Sequence, residues 1–223
     1  MNSRFLSRLP CFFLPGSSGR QIARGLDLGI PEVQRPVACL EDLGYIRRLP
    51  TGAYELSGRL FGVASRHSPL ARLRRAAEPA LAAFAEETGH SVHLSVPDGN
   101  AALMILDVPG SGLVRLSLRP GARFAPADTL SGAMLAAVGA IFHKGRPSWP
   151  DGLLKAARAR EPFSWPSRQA TGVIDCGIVL ADPSGVVVGV ITSSVVTPAG
   201  GRFSKAPVLA ALAKTAARVA ALS

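Results

Sequence analysis

Residues 31–56 carry the pattern that most narrows what this chain can become. Val33, Val37, Leu40 and Leu43 fall on one face of a helix over 31–43, and Gly44 stops it. Tyr45-Ile46-Arg47-Arg48, the turn Pro50-Thr51-Gly52 and Ala53-Tyr54-Glu55-Leu56 then predict a small hairpin. A two-stranded hairpin is marginal by itself. Its apolar residues, Tyr45, Ile46, Tyr54 and Leu56, must therefore pack on helices, and RQIARGL (20–26) supplies a second short one just upstream.

Two helices joined by a tight turn, with an arginine-bearing hairpin after the second, form a winged helix-turn-helix. The second helix suits the width of a DNA major groove, and the hairpin arginines reach phosphates beside it. The plainer alternative is a helix and hairpin that serve only a small core. Charge favours an anionic partner: the formal net charge is +10, with nucleic acid ahead of a membrane surface. The excess is spread, nine Arg and Lys against five Asp and Glu over 1–68 and sixteen against ten over 69–223, so basicity alone does not locate a site.

Residues 57–66 predict a connecting helix, and Ser68-Pro69 marks a boundary. Beyond it, Leu70, Leu73, Ala77, Leu81 and Phe84 mark a long amphipathic helix that contains Pro79 and ends at Thr88-Gly89. Strands at 91–96 and 101–108 flank the turn Pro97-Asp98-Gly99-Asn100. Leu113–Leu118 reads as a further strand, and Asp128-Thr129 as the cap of a helix Leu130–Ile141. Basic residues gather over 144–168 as a helix and loop. Strands Val173–Leu180 and Val186–Ser194 and a last helix Ala206–Leu222 follow. This order describes an α+β sensor-like domain. The expected division is 1–58 winged helix-turn-helix, 59–68 linker helix and 69–223 sensor-like domain.

Cys11, Cys39 and Cys176 are odd in number and form no CxxC pair, which speaks against a disulfide framework or zinc site and fits a reducing cytoplasm. The N-terminal MNSRFLSRLPCFFLPGSSG is broken by Pro10 and Pro15 and does not read as a signal peptide. The apolar region 173–196 contains Asp175 and Asp182-Pro183-Ser184-Gly185, so it reads as two strands and not as a membrane helix.

No GxSxG, GxxxxGK[ST] or HExxH motif occurs, nor a GxGxxG after a strand, so no enzyme, catalytic residue or cofactor is expected. His90 and His93 are three apart and face opposite sides of a strand, which makes them a poor metal pair; His93 is expected as a satisfied sheet residue. His67 and His143 lie near basic loops. A hydrolase built on Cys176 lacks a partnered histidine in the pattern.

The run IARGLDLGIPEVQRPVACLEDLGYIRRLPTGAYEL (22–56) resembles the DNA-binding segment of IclR-type transcriptional regulators. LRRAAEPALAAFAEETGHSVHLSV (73–96) is similar to the start of that family's effector domain, RFAPADTLSGAMLAA (123–137) to its pocket helix, and LADPSGVVVGVITSS (180–194) to its closing strands. The resemblance implies a winged-helix domain and linker helix joined to a GAF-like effector domain. It also implies a homodimer or dimer of dimers on operator DNA, with no membrane partner.

On that footing Glu32, Gln34, Arg35 and Cys39 lie on or beside the recognition helix. Gln34 can read adenine and Arg35 guanine, while Arg47 and Arg48 contact phosphate. A small organic acid would set its carboxylate against backbone amides of Thr129, Leu130, Ser131 and Gly132 at a helix N-terminus. Polar side chains Asp175, Thr192 and Ser194 on the closing strands complete the set, with Cys176 next door.

The chain departs from the family at several places. Pro36 stands inside the recognition helix, where it should kink it. Pro10 and Pro15 interrupt the first helix. Asp175 stands where Cys is frequent, and Ala127 where His is. A ligand-responsive regulator is the main expectation. The alternative is a small-molecule sensor whose degenerate head no longer binds DNA.

Overall fold

The computed structural model describes residues 16–66, 69–112, 116–143, 149–197 and 204–221. Readings at Pro10, Cys11, Pro15 and His67 lie outside the described residues. The chain forms two compact units, Met1–Ser68 and Pro69–Ser223.

In the first unit, α1 (Gly19–Leu26) begins at a capping box: Gln21 N–H donates to Ser18 Oγ at 3.4 Å, and Ser18 N–H to Gln21 Oε1 at 2.8 Å. It ends at Asp27, whose φ of 56° is left-handed, and three residues later α2 (Ile30–Asp42) starts. Strands β1 (Ile46–Arg48) and β2 (Tyr54–Leu56) pair antiparallel with Arg47 opposite Glu55 and Arg48 opposite Tyr54. Ser17 forms a separate bridge to β2, exchanging backbone hydrogen bonds of 3.0 and 2.9 Å with Tyr54. Helix α3 (Arg59–Arg66) follows. Ile22, Ala23, Leu26, Val33, Val37 and Ile46 form the core, with Leu28, Leu40, Tyr54 and Leu56 against it.

Three expectations change here. α2 runs unbroken through Pro36, which occupies a half-exposed position. The carbonyl it deprives of a helical donor belongs to Glu32, on the exposed side, where water can take the donor's place. Leu43 is exposed because the helix has already ended and Gly44 (φ 70°) turns the chain. Tyr45 does not join the core; its ring lies 5.3 Å beneath the Arg59 guanidinium.

The second unit is a six-stranded antiparallel sheet in the order β5-β4-β3-β8-β7-β6. Its strands are β3 (Val92–Asp98), β4 (Ala101–Val108), β5 (Arg123–Phe124), β6 (Phe163–Pro166), β7 (Val173–Ala181) and β8 (Val187–Val196). Alternation along the strands makes two unlike faces. Val92, Leu94, Ile178, Ile191 and Val195 pack on Leu73, Ala77, Leu81 and Phe84 of α4 (Pro69–Thr88) and on α7 (Ala206–Ala220). Ala102, Val179 and Val190 pack on α5 (Leu130–Ala137) and α6 (Asp151–Ala159). Helices thus cover both faces of an α+β unit. No described helix is long and apolar enough to cross a membrane.

Leu70 sits at the edge of this packing and is exposed. Pro79 stays within α4 on its exposed side. Residues 116–118 form no strand, and 113–115 lie outside the described residues; β5 is instead the short edge strand, tied by the ion pair of Arg123 with Asp98. Helix α5 stops at Ala137, four residues early, because Gly139 (φ 75°) turns the chain and Ala140 N–H bonds back to the Leu135 carbonyl. Within 144–168, residues 144–148 lie outside the described residues. The remainder holds α6 and the unforeseen edge strand β6, which pairs Trp165 with Asp175.

Candidate functional site

Register brings the polar residues of three strands to one face. His93 on β3 stands opposite Thr192 on β8, and Asp175 on β7 opposite Ser194. Above them, α5 closes onto the sheet at Gly177. A Cβ there would meet Thr192 Cγ2 at 3.0 Å, Leu130 Cδ2 at 3.1 Å and Met134 Sδ at 3.2 Å. The gap left beside this contact is a cavity of about 130 Å³. Thr129, Leu130, Ser131, Asp175, Thr192 and Ser194 all line it, joined by His93, Ser95, Phe124, Gln169 and others. An apolar cavity of about 150 Å³ holds benzene, so the volume suits one ring or a short chain.

Gly132 does not line it. Its N–H is taken by Thr129 Oγ1 at 3.2 Å, and a Cβ would meet the Ala125 carbonyl at 2.8 Å, so this glycine serves close packing. The helix amides left for a ligand are those before it. Thr129 Oγ1 also lies 3.2 Å from Ser131 Oγ.

Asp175 accepts from Ser194 Oγ at 2.6 Å. Among the described residues, no lysine or arginine lines it. Arg168, nearby, donates to the Ala127 carbonyl at 2.9 Å and lies 5.2 Å over the Trp165 ring, while Gln169 donates to the Asp128 carbonyl at 3.1 Å. The β6–β7 loop is thereby fastened to the turn before α5. Cys176, expected beside the site, points to the opposite face, inside the α4–α7 core. Burial, with Asp175 adding, pushes its thiol up to about 11.

His93 is the functional candidate that strand periodicity passed over. It is 1% exposed and was expected to be satisfied, but it is only half so. Nδ1 lies 2.6 Å from Asp107 Oδ1, while Nε2 has no hydrogen-bond partner among the described residues. Burial would raise Asp107, yet the His93 and Ser117 hydrogen bonds and the attraction of His93 bring it below the usual carboxylate range. Ser117 Oγ donates to Asp107 Oδ2 at 2.6 Å. The visible signal was the placement of Asp107 on a strand paired with that of His93.

On the other unit, α2 turns Gln34, Arg35, Ala38 and Cys39 outward, with Val33 and Val37 buried beneath. Glu32 is also exposed, but its carboxylate accepts from Gly29 N–H at 2.7 Å, so it caps the helix. On the hairpin Arg47 is 71% exposed and paired with Glu55. Arg48 is exposed with its guanidinium 5.9 Å from the Tyr54 ring centre.

No family model matches the chain. A curated relative, the HTH-type transcriptional regulator KipR of Bacillus subtilis, is 30% identical over 97 residues, which are 43% of this chain and 39% of that protein. Solved structures match far more of it. An IclR homolog of Microbacterium hydrocarbonoxydans complexed with 4-hydroxybenzoate aligns at TM-score 0.72 and 21% identity over 98% of this chain and 96% of its own. An IclR transcriptional regulator of Alicyclobacillus acidocaldarius aligns at 0.72 and 19% over 99% and 94%. The Thermotoga maritima IclR aligns at 0.60 and 20% over 92% and 90%. The chain has the fold of IclR-type regulators.

Proposed function

We propose that the chain is an IclR-type transcriptional regulator, cytoplasmic, in which a small organic acid held by the second unit controls the grip of the first on operator DNA. The observation that carries this reading is the cavity beneath α5. It brings six of the seven anticipated effector residues, Thr129, Leu130, Ser131, Asp175, Thr192 and Ser194, into one wall of single-ring volume. A carboxylic or aromatic acid fits its size, and the amides opening α5 favour an anion. That a protein of the same fold holds 4-hydroxybenzoate supports the assignment.

On the first unit, Gln34 and Arg35 are the base-reading candidates, Cys39 lies beside them, and Arg48 is the phosphate contact least engaged with acid. Arg47 reaches phosphate only by sharing itself with Glu55, and Glu32 contributes by fixing the helix start. An operator with two half-sites requires two heads, hence a homodimer or dimer of dimers. Leu60, Phe61 and Val63 on α3 offer apolar surface for a second copy. The mechanism is coupling between two sites, with no reaction performed.

The rival reading keeps the sensor and discards the DNA. A salt-dependent gel shift on the upstream promoter fragment separates them. Sequence preference that weakens as salt rises supports the regulator; equal, negligible binding to all fragments at low salt refutes it.

A further inference from the structure

We propose that His93, held by Asp107, is the residue that reads a ligand carboxylate in the α5 cavity, and that it takes up a proton from solvent as the ligand binds. This rests on the effector reading above and goes beyond it: it assigns the anion contact to a side chain of β3 and predicts a change in protonation.

The geometry begins with an orphan. Nε2 of His93 is buried in the cavity wall with no partner among the described residues, and a buried polar atom left unmatched is costly. Nδ1 is committed to Asp107, which is itself held by Ser117. With Asp107 ionised, Nδ1 carries hydrogen, so neutral His93 presents a lone pair at Nε2. A carboxylate oxygen also presents only lone pairs. The two cannot meet without a proton between them.

Around the cavity the charges are one-sided. From β4 comes Asp107 and from β7 comes Asp175; β8 offers Thr192 and Ser194, and the start of α5 offers only hydroxyls and amides. Arg168 on the β6–β7 loop and Asp128 before α5 lie at the margin, the arginine bonded to the Ala127 carbonyl. Among the described residues no lining residue carries a fixed positive charge, and His93 is the one able to acquire it. The step is balanced: a solvent proton bonds to Nε2, the resulting N–H donates to the ligand carboxylate, and Asp107 remains ionised behind the imidazolium.

The test is calorimetry on the full chain, with benzoate and 4-hydroxybenzoate as probes, at pH 7.5 and 8.5 in phosphate and in Tris. Proton uptake makes the measured heat depend on the buffer's own ionisation enthalpy. It also weakens binding as pH rises, by up to about tenfold per pH unit. His93→Gln should abolish the buffer dependence and weaken binding by about tenfold or more, while Asp175→Asn keeps the dependence. Buffer-independent heat from the wild-type protein overturns the proposal alone and leaves the effector reading standing. Uptake that survives His93→Gln but vanishes in Asp175→Asn also overturns it, since Asp175 would then hold the proton. Absence of binding to either acid overturns this proposal together with the effector reading. The wild-type measurement decides even where a variant fails to fold.

Discussion

Substitution of Gly132 by alanine separates two roles that one residue could play. If its N–H received a ligand carboxylate, alanine would serve equally, because the N–H is kept and α5 would gain about 0.5–1 kcal/mol of helix propensity. The structure gives the glycine another task. A Cβ at this position would stand 2.8 Å from the Ala125 carbonyl oxygen and 3.0 Å from Pro126 Cα, both backbone atoms that cannot rotate aside. Overpacking of this kind costs about 1–3 kcal/mol. Against the propensity gain, the net loss is about 0–2.5 kcal/mol. In a unit of about 150 residues each kcal/mol moves the melting point by about 2–4 °C, so a drop of up to about 10 °C is expected in the transition of the second unit. Differential scanning calorimetry of the wild-type and Gly132→Ala chains reads it directly. A raised melting point would refute the close approach of α5 to residues 125–126, and with it the removal of Gly132 from the ligand contacts. Gly62→Ala is the matching control: among the described residues a Cβ there meets no atom within 4 Å, and the first unit should gain about 0.5–1 kcal/mol.

Thr129→Ala removes the acceptor for Gly132 N–H and should cost the second unit about 0.5–2 kcal/mol in denaturant titration, with Thr129→Ser recovering most of it. Arg48→Ala should lower the salt slope of promoter binding by about one unit, and Arg47→Ala by less because Glu55 already shares its charge; gel shifts across a salt series measure both. Asp107 has a lowered folded-state pKa, so its contribution to stability is present above the unfolded carboxylate value near 4 and is lost as pH falls through the folded value. Melting points of Asp107→Asn should therefore fall less steeply than wild type between pH 5 and about pH 3. Cys39 should alkylate with iodoacetamide at pH 8 in the native protein, whereas Cys176, buried with its thiol pushed up to about 11, should label only after denaturation; peptide mass spectrometry distinguishes them.

Local chemistry made much of this architecture legible in advance. The helix-turn-helix, the hairpin around Pro50-Thr51-Gly52 and the α4 stripe each express a short-range rule, and each stands as read apart from Pro36, Leu43, Tyr45 and Leu70; the β3–β4 turn is shorter than read, because Pro97 and Asp98 continue β3 opposite Ala102 and Ala101. Gly139 is a stop signal of the same kind, hidden in the sequence because Ala140 and Ile141 continue the apolar run. Glu32 was legible too: a carboxylate three residues after Gly29 matches a helix start, yet its charge invited a DNA role. Other features depended on distance in space. Strand β6 pairs Phe163–Pro166 with Ile174–Gly177 of β7 in a register that no local periodicity encodes. The pairing of His93 with Asp107, fourteen residues apart, needed the β3–β4 bulge between Leu94 and Ser95 to be placed. The face occupied by Cys176 followed from strand alternation, had its neighbour Asp175 first been fixed on the cavity side.

That alternation has a mechanical result. On β3, His93 looks into the cavity, while its chain neighbours Val92 and Leu94 grip the α4 layer from the reverse side. The two faces therefore share one thin support: any movement of the β3 backbone at His93 shifts the side chains seated on α4 as well, with no other element in between.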